Sequence, residues 1–181
     1  MSRVRFHIVR AHAGLLVLDL ADTYVAQHVP DAPTWSQLRV LSLRNTRLSG
    51  TIPPWVVQLP ALELLDLGQN DFSGTLPPFS TAPRVLALTS FTVDSAGLSG
   101  GLPDGWSSAP RLEVLELGGN NFSGPLFSSS LCARAPSLRR LAVAHNDLSG
   151  PWAFLLESCA NVSALGGVCA ADAVLLPSLV D

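Results

Sequence analysis

Leucines recur along the chain in short groups that are separated by polar and small residues. Four stretches share the pattern L-x-x-L-x-L-x-x-N-x-L-S-G with a few substitutions, and they begin at Leu38, Leu62, Leu112 and Leu138. Successive side chains of a strand point to opposite faces, so each L-x-L group predicts a short strand with one buried face. The glycine of each Ser-Gly pair predicts a tight or left-handed turn, because glycine tolerates these conformations.

The same pattern returns at a regular interval along the chain. The glycines of five Ser-Gly pairs, at positions 50, 74, 100, 124 and 150, are 24, 26, 24 and 26 residues apart. Leu15 to Pro30 forms a degraded copy, and the copy around Val85 to Leu88 is irregular, with a predicted insertion from Phe91 to Ser95. One unit cannot bury its leucine face alone, so the repeats predict parallel strands stacked along one continuous core.

These units resemble the plant-type leucine-rich repeat, and the resemblance covers residues 15–165. It implies an α/β-type repeat solenoid, a right-handed superhelix of about six repeats of roughly 21–29 residues with a parallel β-sheet on its concave face. Residues 1–14 are expected to form an N-terminal cap or edge strand, and residues 166–181 a C-terminal cap or tail. A vestigial strand is expected around Val162 and Leu165.

The ninth position of each unit predicts a ladder of inward hydrogen bonds. An amide there can bond to buried backbone groups of the turn, which would otherwise lack partners. Threonine offers only a hydroxyl and Ala96 offers nothing, so the ladder should be best formed in the third, fifth and sixth units. The predicted ladder residues are Thr23, Thr46, Asn70, Asn120 and Asn146.

Composition and charge exclude several classes of function. The 181 residues carry 11 basic and 14 acidic side chains, all of the basic ones arginine, and the net charge is −3. Without a basic tract the chain is not expected to bind nucleic acid, and without lysine it has no Walker-type phosphate loop. The late apolar run is broken by Pro177, so no transmembrane segment is expected. Arg3, Arg5 and Arg10 imitate the start of a signal peptide, but Asp19 ends the following apolar run too early.

Candidate catalytic and metal-binding patterns are weak. Gly97 to Gly101 matches G-x-S-x-G around Ser99, but it coincides with the repeat turn and lacks a following helix pattern. His7 and His12 are five residues apart, which does not suit a pair of metal ligands on one helix face. The three cysteines, at positions 132, 159 and 169, allow at most one bridge, and their disulfide state stays open. No catalytic, cofactor or metal site is therefore predicted.

The outward side chains of the predicted strands form the candidate binding surface. They combine an apolar column with the acids Asp19, Asp66 and Glu116, and Arg44 and Arg140 are expected to be isolated donors. This combination favours a protein or peptide with some basic character over a small metabolite. The candidate protein-binding residues are Asp19, Asp22, Arg44, Leu64, Asp66, Gln69, Val114, Glu116, Arg140 and His145.

The sequence thus predicts a non-enzymatic module that binds a protein or peptide and needs no cofactor. The resemblance implies a receptor-like or inhibitor protein at the cell surface or outside the cell. A surface-coat protein that uses its repeats for assembly is the alternative, and a solvated face without a dedicated ligand also stays open. Asn121 and Asn161 lie in N-x-S triplets and are candidate glycosylation sites on a secretory route.

Overall fold

A computed structural model describes residues 12–25, 28–29, 34–78, 87–103, 109–125, 135–150 and 164–166, the last of these as backbone. Seven three-residue strands form one parallel sheet. These strands are β1 (Val17–Asp19), β2 (Val40–Ser42), β4 (Leu64–Asp66), β6 (Ser90–Thr92), β8 (Val114–Glu116), β10 (Arg140–Ala142) and β12 (Ala164–Gly166).

The strands pair in chain order and in phase. Leu18 aligns with Leu41, Leu41 with Leu65, and the alignment continues through Phe91 and Leu115 to the last strand. Every aligned central residue whose side chain is described is buried, because the identical strands place the same position of the pleat toward one core. This arrangement confirms the predicted parallel repeat solenoid.

The structure describes the last strand of the sheet but little of the two end segments of the chain. Leu165 in β12 pairs with Leu141 in β10, which confirms the vestigial strand. The predicted cap segments fall largely outside the described residues, at 1–11 and 167–181. Their assignment as caps stays a prediction.

The fourth unit corrects one prediction, because the segment from Phe91 to Ser95 is not an insertion. Phe91 takes the central strand position and Val93 the next inward position, and both are buried. Ser95 has the left-handed φ of 51° that Gln69 adopts with 54° in the unit before. The sequence prediction placed the strand of this unit at Leu86 and Leu88. The core instead accepts phenylalanine and valine at the leucine positions, because only shape and apolarity matter there.

A second layer of short parallel strands follows the turns. It consists of a two-stranded sheet, β3 with β5, and a three-stranded sheet in the order β11, β9, β7. The strands are β3 (Ser49–Gly50), β5 (Asp71–Phe72), β7 (Ser99–Gly100), β9 (Asn121–Pro125) and β11 (Asp147–Ser149). Gly50 has a φ of 83° and Gly100 a φ of 79°, so the Ser-Gly turns are left-handed, as predicted.

The core runs between the two layers. Leu67 and Leu117, at equivalent inward positions, are both 0% exposed, as the repeat predicts. On the return path of the second unit, a 3-10 helix over Pro54–Gln58 buries two valines. Trp35 packs edge-on against Trp55, with ring centroids 5.8 Å apart, which fills the space beside that helix.

Inside the turns, asparagine side chains bond to the backbone of two neighbouring units. Asn120 Nδ2 donates to the carbonyl of Val93 at 2.8 Å and to that of Leu117 at 3.0 Å. Its Oδ1 accepts from the amides of Ala96 at 3.1 Å and Leu98 at 3.0 Å. The side chain thereby satisfies donors and acceptors that are buried and could not reach water.

The other ninth-position residues differ in how far they reach. Asn70 makes the same kind of bonds to Leu43, Thr46 and Leu48 of the second unit. Asn146 Oδ1 accepts from the amide of Phe122 at 3.0 Å. The hydroxyls of Thr23 and Thr46 each donate to a carbonyl three residues earlier in their own turn. Alanine at position 96 cannot bond back to the third unit, so the ladder has a gap there.

Candidate protein-binding surface

The outer side of the seven-stranded sheet carries the candidate residues. We call this surface the sheet face: the first and third residue of each strand, the residue before the strand, and the second and third residue after it. Strands β2, β4 and β8 share a pattern in which a buried centre lies between two half-buried neighbours, and in β1 those neighbours are exposed. The sheet face is therefore accessible along these strands.

The structure places all ten predicted binding residues on this face. Six are strand residues: Asp19, Leu64, Asp66, Val114, Glu116 and Arg140. Arg44 is the second residue after β2. Asp22, Gln69 and His145 occupy the third position after their strands, with left-handed φ values of 58°, 54° and 56°. That conformation turns the chain away from the sheet and leaves these three side chains exposed.

An apolar row crosses the sheet face at the first strand position. Val17 is 55% exposed, and Val40, Leu64 and Val114 are partly exposed. Ser90 and Arg140 interrupt the row in β6 and β10. The apolar row is thus most open at β1, where Leu16 is also 52% exposed.

A cluster of three charged side chains spans the middle of the face. Arg44 Nη1 donates to Asp94 Oδ1 at 2.6 Å and Nη2 to Oδ2 at 2.9 Å, a bidentate pair between residues that follow β2 and β6. The same Nη1 lies 3.5 Å from Asp66 Oδ1. Because β4 separates β2 from β6, the arginine has to reach over the unit between them.

Glycine at position 68 makes this reach possible. Gly68 occupies, in the third unit, the position that Arg44 and Asp94 occupy in the second and fourth, and the ion pair covers it. A Cβ atom at Gly68 would lie 2.5 Å from Arg44 Nη1 and would also collide with the Asp94 carboxylate. The gap in the side-chain column is therefore filled by the ion pair.

The cluster shifts the ionisation of two of its members. The hydrogen bonds that the Arg44 guanidinium donates to Asp94 raise the pKa of Arg44 further, so the guanidinium stays charged. Burial raises the pKa of Asp66, although the amide of Gly68 donates to Oδ1 at 2.9 Å and favours the ionised form. With all three groups ionised, two carboxylates face one guanidinium and the cluster keeps one net negative charge.

Arg44 and Arg140 are not isolated donors, contrary to the sequence prediction. Arg140 Nε contacts Glu116 Oε1 at 2.6 Å, and Asp66 and Glu116 have side chains that are only 22% and 23% exposed. The prediction treated the units one at a time. Neighbouring strands lie only about 4.8 Å apart, so opposite charges in adjacent units meet across the sheet.

Several charged residues of the face were not predicted from the sequence. Asp94 was missed because the predicted insertion was misplaced, although the spacing of the repeat indicates its position. In the second, third, fifth and sixth units the central strand residue lies seven positions before the apolar residue of the x-Ser-Gly turn, and counting back from Leu98 gives Phe91. The residues that precede the strands, Arg39 and Glu63, were also not predicted as part of the face. Arg39 Nε donates to Glu63 Oε1 at 2.8 Å.

The other candidate patterns lie away from the sheet face or outside the described residues. Ser99 belongs to β7, and its Oγ donates to the carbonyl of Gly74 at 3.3 Å. Asn121 is an exposed residue of β9. His7, Asn161 and the three cysteines lie outside the described residues. In the described ranges, no grouping of three or more His, Cys, Asp or Glu could hold a metal ion. None of the helices found there has the length and apolarity needed to cross a membrane.

Comparison with known proteins agrees with the repeat pattern. A family model described as Leucine Rich Repeat matches residues 37–59. A curated relative from Arabidopsis thaliana, described as a probable inactive receptor kinase, is 46% identical over 41 residues. Those residues make up 23% of this chain and 6% of the relative, so the match covers a small part of that protein.

Solved structures of plant receptors have the same fold. The leucine-rich-repeat ectodomain of the Arabidopsis receptor kinase HAESA, in complex with an extended IDA peptide hormone, has a TM-score of 0.75 at 25% identity. That of the Arabidopsis thaliana receptor kinase GASSHO1/SCHENGEN3, in complex with CASPARIAN STRIP INTEGRITY FACTOR 2, has a TM-score of 0.73 at 28% identity. Each match covers 86% of this chain, but only 26% and 18% of the receptor chains. The chain is a leucine-rich-repeat solenoid similar to plant receptor ectodomains.

Proposed function

We propose that this chain is a non-enzymatic binding module that holds a protein or peptide on its sheet face. The observation that carries the proposal is the continuous sheet face itself, on which the six strands with described side chains present groups that the core does not use. An open sheet surface with an apolar row and charged side chains beside it suits an extended polypeptide, because a small ligand needs a pocket that buries most of its surface.

The relatives support this proposal. Two of the similar ectodomains are described in complex with a peptide hormone or with a protein factor. Since the chain matches only part of each receptor, we propose the binding role for the sheet face and not the signalling activity of the whole receptor. A receptor-like protein outside the cell is the setting that these relatives favour.

Site-specific photo-crosslinking tests the proposal. A photoreactive residue replaces Ser42 or Ala142 on the sheet face. The matched position is Ser73 or Thr75, exposed residues that follow β5. In extracts from the organism that carries the gene, we expect the same partner protein to be cross-linked from both sheet-face positions and from neither control. Cross-linking from the control positions alone, or from none of the four, would contradict the proposal, and cross-linking to another copy of the chain would favour assembly.

A further inference from the structure

The acidic charge of the described residues is concentrated on the sheet face. Away from the sheet face, the described residues include two carboxylates in the second layer, Asp71 and Asp147. They also include two exposed arginines, Arg47 and Arg111, so the charges there balance. The sheet face has seven carboxylates against four arginines, namely Arg39, Arg44, Arg139 and Arg140. The seven are Asp19, Asp22, Glu63, Asp66, Asp94, Glu113 and Glu116.

Ion pairs within the face already occupy three of these arginines. Arg39 pairs with Glu63, Arg44 with Asp94 and Asp66, and Arg140 with Glu116. The excess therefore consists of carboxylates, and it is distributed over several strands.

The uncompensated carboxylates lie at two places along the sheet. At β1, Asp19 Oδ1 accepts from the amide of Ala21 and Asp22 Oδ1 from Asn45 Nδ2, and within the described ranges neither forms an ion pair. At β4 and β6 the Arg44 cluster keeps one negative charge. At β8, Glu113 is exposed, but Arg139 lies directly beside it in the neighbouring unit, where the Arg139 amide donates to the Glu113 carbonyl at 2.9 Å, so this carboxylate is not part of the excess.

The apolar row runs beside these charges over the same strands. Val17, Val40, Leu64 and Val114 belong to β1, β2, β4 and β8. From β1 to β8 there are four strand spacings, which at about 4.8 Å each give roughly 19 Å. An extended chain rises about 3.3 Å per residue, so roughly six residues cover that distance.

We infer that the partner of the sheet face presents an extended segment of at least about six residues in which apolar side chains alternate with basic ones. This inference rests on the proposed function and names the chemistry of its partner. The apolar side chains lie along the valine and leucine row, and the basic ones meet the carboxylates at β1 and at the Arg44 cluster. A second copy of the chain is a poor occupant, because it would bring two acidic faces together.

Peptide binding tests the inference on the full chain. The probe is a labelled seven-residue peptide of alternating arginine and valine with blocked ends, and the matched peptides carry serine or glutamate in place of arginine. Fluorescence anisotropy measures the dissociation constant at low and at high salt. We expect the arginine peptide to bind at least about tenfold more tightly than the serine peptide, with affinity falling as salt rises, and the glutamate peptide not to bind.

Charge-neutralising variants separate specific docking from general attraction to an acidic protein. Asp19→Asn combined with Asp22→Asn should weaken binding of the arginine peptide about tenfold. Asp71→Asn combined with Asp147→Asn removes the same charge from the second layer and should leave binding nearly unchanged. Val17→Ser should weaken binding without altering its salt dependence, because it removes only apolar contact.

Five outcomes would overturn the inference. The first four are equal weakening by both double variants, tight binding of the glutamate peptide, no binding of any peptide, and a concentration-dependent dimer in sedimentation that the Asp19 and Asp22 changes strengthen. Binding that appears only after Arg3, Arg5 and Arg10 are changed to serine would also overturn it, since the chain would then occupy its own face. In each case, photo-crosslinking of a partner from Ser42 and Ala142 would still uphold the proposed function.

Discussion

The interior ladder and the Arg44 cluster are both built from polar side chains that link neighbouring units, yet they are organised differently. Asn70 and Asn120 each occupy the ninth position, and each bonds to the same set of backbone groups in its own unit and the one before. The Arg44 cluster joins residues of three successive units and has no counterpart in the described part of the sheet face.

This difference follows from what each side chain meets. Inside the turn, every unit offers the same backbone carbonyls and amides, so the same amide side chain serves in several units. On the sheet face, the partners are side chains of neighbouring units, and only an arginine, a glycine and an aspartate in the same column allow the ion pair to form. The repeated residues therefore determine the interior of the solenoid, and residues that depart from the repeat determine the chemistry of the sheet face.

Substitutions in the interior, which the repeat determines, should lower the free energy of unfolding more than substitutions on the sheet face. The leucine core should show the largest losses. Leu67→Ala or Leu117→Ala should each lower the free energy of unfolding by about 2–5 kcal/mol, because each leaves a cavity at a fully buried position. Urea unfolding measures the loss. Val17→Ala, on the exposed side of the same sheet, should change it by less than about 0.5 kcal/mol. If both leucine variants also lost less than about 0.5 kcal/mol, the register of the strands would be wrong.

Substitutions in the ladder should cause the second-largest loss of stability, after those in the core. Asn120→Ala leaves the amides of Ala96 and Leu98 without their acceptor and should cost about 1–3 kcal/mol. Hydrogen exchange at these two amides should become faster. Asn121→Ala is the matched control, since Asn121 is the next residue and is exposed. Unchanged exchange at both amides after Asn120→Ala would rule out this role of the ladder.

Ion pairs on the sheet face should contribute less, and unequally. A double-mutant cycle with Arg44→Met and Asp94→Asn should give a coupling energy of about 1 kcal/mol, because the pair is bidentate and partly buried. The same cycle for Arg39 and Glu63, whose side chains are 57% and 37% exposed, should give less than about 0.5 kcal/mol. A larger coupling for the second pair would contradict the importance of the bridge over Gly68.

Gly68→Ala sharpens this comparison. The added Cβ would push apart the flexible ends of Arg44 and Asp94, so the coupling between them should disappear while the loss of stability stays small. A repeat of the double-mutant cycle in the Gly68→Ala background measures this. Full coupling in that background would mean that the ion pair does not depend on the glycine.

The smallest effect concerns the pH dependence of stability at Asp66. Burial raises the pKa of Asp66 in the folded state above its unfolded value of about 3.9, so the protonated form favours folding. Its contribution is fully present below the unfolded pKa and is lost as pH rises through the folded pKa. Asp66→Asn, which can still accept from the Gly68 amide, should lack this loss. The difference in Tm between the two proteins should therefore shift in favour of the variant as pH rises above about 4. A shift in favour of the wild type would show that attraction to Arg44 outweighs burial.

The sequence by itself determined the repeat, the inward leucines, the left-handed Ser-Gly turns and the ninth-position residues. These features recur at a spacing that can be counted, because each unit solves the same packing problem with the same residue types. The prediction failed in the fourth unit, where Phe91 and Val93 replace leucines and the core accepts them because it selects for apolar volume.

Only the tertiary structure decided which charges on the sheet face are paired. Arg44 and Asp94 are 50 residues apart in sequence and become partners only when three units stack with a glycine between them. Neither residue follows the repeat, so the period contains no signal for their contact. Pairing across a sheet depends on the register of neighbouring strands and on the space above the unit between them, and both are properties of the stacked solenoid.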